Sequence, residues 1–128
     1  MGQQQLLLVI LGVIIVGIAI AIGIFLFGAQ SIASNRDAMI NDLNHLASFA
    51  YQFRIRLRSM GGGEGDYTSF TIPPKMTLNE DGTYSVNSAQ ISSLSFLAVS
   101  TTNASNTIRV TVDSDGKLMN WSYGGDFQ

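Results

Sequence analysis

Side chains able to do acid–base, nucleophilic or metal chemistry are few in this chain and widely spaced. His45 is the single histidine. It stands between Leu43 and Leu46 with no Ser–His–Asp spacing around it. An imidazole with nothing to orient it and no nucleophile to activate lacks what base catalysis requires, so His45 reads as an exposed or interface helix residue. Cysteine is absent, which removes thiolate metal sites, disulfides and Cys nucleophiles. Asp113-Ser114-Asp115-Gly116 has the alternating acids of a calcium loop but neither the further ligands nor the distal Glu of an EF-hand; a β-hairpin turn accounts for it. Gly61-Gly62-Gly63-Glu64-Gly65 has glycines but no GxxxxGK[ST] pattern and no strand before it; it reads as a linker. The expectation is a protein without catalytic residues, metal or cofactor. For modification, Asn103-Ala104-Ser105 and Asn120-Trp121-Ser122 fit the N-glycosylation pattern, and Asn103, in an expected loop, is the better candidate.

What the chain does carry is pattern. Leu6 to Phe27 is a run of 22 residues with no charge and no side-chain amide or hydroxyl. About 20 apolar residues suffice for a helix to cross a bilayer. A secretory signal has a basic start and an apolar stretch of about 7–15 residues. Here Met1-Gly2-Gln3-Gln4-Gln5 is neutral and the run is longer, so retention of the segment is expected. Gly12, Gly17, Ala19, Ala21, Gly23 and Gly28 interrupt the large side chains. Gly17 with Ala21, and Ala19 with Gly23, have the small-xxx-small spacing that lets helices approach closely. Close packing, controlled local melting and the ordinary abundance of Gly in membrane helices all fit. The candidate packing positions are Gly12, Gly17, Ala21, Gly23 and Phe25.

The helical pattern does not stop at Phe27. Met39, Leu43, Leu46, Ala50, Phe53 and Leu57 follow a heptad, one apolar face on a long helix. A single helix over 4–60 would be roughly 85 Å long, ended by Gly61-Gly62-Gly63. Beyond it the pattern is β. Tyr67–Ile72, Thr83–Val86, Ile91–Val99, Thr107–Val112 and Lys117–Tyr123 read as short antiparallel strands, the last with Met119, Trp121 and Tyr123 alternating. A small sheet with one apolar face is marginal without a cover, and residues 39–57 supply one. The expected class is α+β. Residues 1–28 form a hydrophobic anchor or core half-helix and 29–60 an amphipathic half-helix. Residues 61–128 form an antiparallel β domain packed on 39–57.

Charge adds little about ligands. The net charge of −2 gives no case for nucleic acid. It is unevenly spread: Arg36, Arg54, Arg56 and Arg58 against Asp37 and Asp42 in 29–60, then seven acids against Lys75, Arg109 and Lys117 beyond. Opposite signs on two parts of one chain suit packing between copies, and also fit ordinary solvated scatter.

A neutral N-terminus, an uncharged apolar half-helix, a continuous amphipathic half-helix and a small antiparallel sheet together resemble a type IV pilin or pilin-like protein. The resemblance implies a homopolymer. The apolar half-helix would first anchor the chain in the inner or cytoplasmic membrane and then form the core of an extracellular helical filament on the cell surface, with adhesion among its roles. It also implies a prepilin peptidase that cuts after a Gly and a membrane assembly machinery. Gly2 and Gln5 are then the candidates for processing or N-terminal contacts. The chain departs from the family pattern at the fifth mature position, where pilins usually carry Glu. That position is Gln5 if the mature chain starts at Met1, and Leu7 if Gly2 is the cleavage Gly. The alternative expectation is a minor pseudopilin or a single-span membrane-anchored surface binding domain.

Overall fold

The computed structural model describes residues 2–128. Its first element, α1, is one helix, Gly2–Ile55, through which no proline passes. The chain divides into a first compact unit up to Ala33 and a second, Ser34–Gln128. Helix α1 contributes to both.

The end of α1 shows why the glycine run is there. A helix leaves its last carbonyls without partners. Here the chain doubles back and supplies them. Gly63 N–H donates to Phe53 O at 2.8 Å, Gly65 N–H to Arg54 O at 2.6 Å and Glu64 N–H to Arg56 O at 2.9 Å. The residues expected as a linker are therefore a folded C-terminal cap. The helix also stops short of the expected Met60: it ends at Ile55, Arg58–Met60 is a separate 3-10 turn, and Leu57, expected on the apolar stripe, is exposed. A side chain at Gly63 would run into the Asp66 carbonyl and stand 2.9 Å from the Phe53 ring. Gly63→Ala is accordingly expected to lower the stability of the second unit by about 1–3 kcal/mol, as overpacking does. Urea unfolding of the detergent-solubilised chain, read by its single Trp121, checks it.

Four strands follow: β1 Gly82–Ala89, β2 Leu94–Ser100, β3 Thr107–Val112 and β4 Leu118–Gly124. They form an antiparallel meander in the order β1-β2-β3-β4. Alternation sends Leu94, Phe96 and Ala98 of β2 and Ile108, Val110 and Val112 of β3 to one buried face. Met39, Leu43, Leu46, Ala47 and Ala50 are the buried side chains of α1. Phe53 on α1 meets Phe70 edge-on at 5.5 Å, and Phe70 meets Phe96 of β2 at 6.2 Å. One aromatic chain thus runs from helix to sheet.

Two strand expectations need correction. Tyr67–Ile72 is not a strand. Tyr67 and Phe70 instead plug the core from a turn, and Tyr67 Oη donates to Asp113 O at 2.7 Å. Strand β4 does not keep strict alternation. The β3–β4 register shifts between Arg109 and Thr111, and Asn120 takes a left-handed φ of 56°. That bulge puts Met119, paired with Thr111, on the exposed face, while Trp121 and Tyr123 stack on each other at 6.3 Å.

Polar ties hold the second part of α1 to the sheet. Asn35 Nδ2 donates to Asp81 O, and its Oδ1 accepts from the buried Ser100 hydroxyl at 2.6 Å. Asp42 accepts from Tyr84 Oη at 2.5 Å and Asn79 Nδ2 at 2.8 Å. Arg54 donates to Ser114 O at 2.9 Å and lies over the Tyr67 ring. Burial, then the hydrogen bond to Asp42, pushes the Tyr84 phenol well above its ordinary value. An unfolded phenol ionises near pH ~10. The fold binds the neutral form, so this stability is complete below ~10 and falls as pH rises further. Tyr67, raised by burial, acts in the same direction. Tyr84→Phe is expected to flatten the alkaline fall, visible in thermal melts taken from about pH 8 to about pH 11.

Candidate functional site

The residues singled out for packing all lie in the first unit, and none is covered. Every large apolar side chain from Leu6 to Phe27 is at least half exposed, between 52% and 77%. The segment is long and apolar enough to cross a membrane. A bare apolar surface of this extent is not left in water by a stable protein; it marks contact with lipid or with another protein.

The glycines sharpen this. A Cβ built at Gly12, Gly17, Gly23 or Gly28 meets nothing in the chain within 4 Å. The fold of a single copy therefore does not require them, although each weakens a helix by about 1 kcal/mol relative to Ala. At about 100° per residue, Gly12, Ala19 and Gly23 fall within about 40° of one another. Gly17, Ala21 and Gly28 fall within a similar arc about 160° further round. Two tracks of small residues thus run on nearly opposite sides of one helix. Around Gly28 the side chains of Ile24, Phe25 and Ile32 enclose a shallow apolar hollow of about 360 Å³.

The other candidates are placed apart from these. Gly2 and Gln5 lie in the exposed first turn of α1, which contains no acidic residue. The helix end, with its partial positive charge, receives no carboxylate from that turn. His45 is exposed. Asp113 is occupied locally: its Oδ1 accepts from the N–H groups of Asp115 and Lys117 at 2.9 and 2.8 Å, closing the β3–β4 turn. Among the described residues no group of three or more His, Asp or Glu gathers. Asn103 sits in the exposed β2–β3 turn, its Oδ1 accepting from Ser105 N–H at 3.0 Å and Ser105 Oγ at 2.6 Å. Asn120 lies in β4 and is exposed as well.

One feature of the second unit is invisible to pattern reading. Where residues 61–73 turn back beside α1, a groove of about 360 Å³ opens, lined by Phe49, Phe53, Arg56, Phe70 and Pro73. Its helix side could be read from the apolar stripe, but its far wall exists only because the glycine cap reverses the chain. No family model matches this chain, and neither a curated protein nor a solved structure shows significant similarity to it.

Proposed function

We propose that this chain is the structural subunit of a helical, type IV pilus-like filament. Residues 6–27 are membrane-inserted before assembly and form the filament core after it. The observation that carries this reading is the pair of opposed small-residue tracks on an otherwise bare apolar helix. One track serves a dimer, as in small-xxx-small pairs. Two tracks on different sides give each helix two different neighbours, the condition for an open, head-to-tail polymer.

The energetics fit a subunit delivered from a membrane. Exposing a large apolar side chain to water costs about 1.5–3 kcal/mol, so the free subunit is insoluble outside lipid. Transfer from lipid to a helix bundle gains little by itself. The contribution to assembly comes from close packing, which the glycines permit, and from energy supplied at the membrane. The continuity of α1 into a segment that carries a folded β-sheet gives such a polymer an outer surface.

Cryo-EM of filaments sheared from cells tests the reading directly. The expected result is side-chain density for this sequence with residues 6–27 bundled at the axis. A protein found only in the membrane fraction, with no filament containing it, would overturn the polymer in favour of a single-span anchored surface domain.

A further inference from the structure

The second unit has two unlike features on one flank of α1. The first is the groove beside residues 61–73, with Phe49 in its lining 46% exposed. Arg56 stands at its rim, and among the described residues it forms no ion pair. The second is the turn before β1. There Leu78 is 62% exposed, held out by the bridge from Leu78 to Thr83. Glu80, two residues on, is exposed and likewise without an ion pair among the described residues.

These features are spaced along the helix. The Leu78 turn is fastened at Asp42 through Asn79, whereas the groove centres on Gln52, ten residues or about 15 Å further along α1. The chain between them, residues 61–78, runs back beside the helix, so knob and groove share a flank. Asp42 and Asp81 lie beside Glu80 at the knob. At the groove Arg58 is paired with Glu64 and Asp66 lies near Arg54 and Arg58, which leaves Arg56 as the guanidinium lining the groove without an ion pair among the described residues. A knob that carries a free carboxylate, and a groove of mixed phenylalanine and polar lining that carries a free guanidinium, are complementary in sign. They cannot meet within one copy, because the same helix holds them apart.

We propose that copies of this chain contact one another head to tail through these features, Leu78 of one copy seating in the Phe49–Phe53–Phe70 groove of the next with Glu80 facing Arg56. This rests on the polymer reading and supplies its outer contact, separate from the α1 tracks. Because knob and groove share a flank, two antiparallel copies would exchange both and close as a dimer. In the proposed polymer the copies are parallel and stepped along α1, for which the contact is heterologous and stays open as long as its rotation does not close a ring. The ion pair, at a solvent-exposed rim, sets register more than affinity.

The absence of native cysteine makes disulfide trapping clean. In the full chain, Glu80→Cys together with Arg56→Cys should give, on mild oxidation of recovered filaments, a ladder of covalent dimers, trimers and longer species. Either substitution alone should give none. Intact filaments without a ladder overturn the contact and leave the polymer standing. A wild-type preparation with neither filaments nor, in the double variant, any ladder overturns both. A second variant guards against a perturbed pair. Leu78→Glu, at an exposed position, should leave the melt and membrane level of the subunit unchanged and lower filament yield at least tenfold. Unchanged yield would count against the knob.

Discussion

A Gly17→Leu chain is expected to insert into membranes as the parent does and to yield at least tenfold fewer filaments. The leucine removes a helix-weakening glycine, worth about 1 kcal/mol, and adds apolar surface, so neither insertion nor α1 suffers. Nothing in the chain is near enough to clash: a Cβ at Gly17 meets no atom within 4 Å. Only a neighbour on the Gly17–Ala21–Gly28 track can register the change. Overpacking of a close contact costs about 1–3 kcal/mol, and each 1.4 kcal/mol is a factor of ten in an association constant. Val13→Leu, at an exposed, branched position that falls between the two tracks, is the matched control and should assemble normally. Western quantification of sheared and membrane fractions checks both. Equal filament yield from the two variants would mean that this track is not an interface.

What could be read from the sequence, and what could not, follows the range of the forces involved. The apolar run, the heptad over Met39–Ala50 and the alternation in Ile108–Val112 are local periodicities, and the structure places those residues as the periods require. Tyr67–Ile72 misled because its aromatic and β-branched residues also suit a loop that plugs a core. Tyr67 is held by Asp113, 46 positions away, and no window of sequence contains that bond. Leu57 fell off the stripe because the glycine cap ends the helix first. Alternation predicts Met119 on one face with Trp121 and Tyr123, and the β3–β4 register shift, with Asn120 at a left-handed φ, breaks that alternation. For the candidate site the division is similar. Small residues at four-residue spacing are legible from sequence, whereas the absence of any intrachain reason for them needed coordinates. The groove needed them as well, since Phe70 and Phe53 become neighbours only when residues 61–65 reverse the chain.

Phe96→Ala is expected to cost about 3–5 kcal/mol, as removal of a buried aromatic ring does, and so to take away a large share of the roughly 5–15 kcal/mol that keeps a small domain folded. Phe96 is fully buried in β2, paired across the sheet with Val110 and Val86, and its ring is met edge-on by Phe70. The chain has no cysteine, so no disulfide buffers the loss. The first compact unit contributes none of these side chains. Membrane insertion of the variant should therefore persist while its Ser34–Gln128 unit becomes sensitive to protease at growth temperature. Limited proteolysis of membranes, beside urea unfolding followed by Trp121, reads the two units separately. Phe25→Ala is the counterpart: Phe25 is 75% exposed in the first unit, and its loss should leave the melt unchanged and lower only filament yield. If Phe25→Ala instead shifted the unfolding midpoint, α1 would be coupling the two units. If Phe96→Ala left the unit protease-resistant, the aromatic chain from Phe53 through Phe70 to Phe96 would not be what fastens helix to sheet. A Phe70→Ala and Phe96→Ala double-mutant cycle isolates the edge-to-face term. It should show a coupling of about 0.5–1.5 kcal/mol, with most of the single-variant cost arising from the cavity rather than from the ring pair.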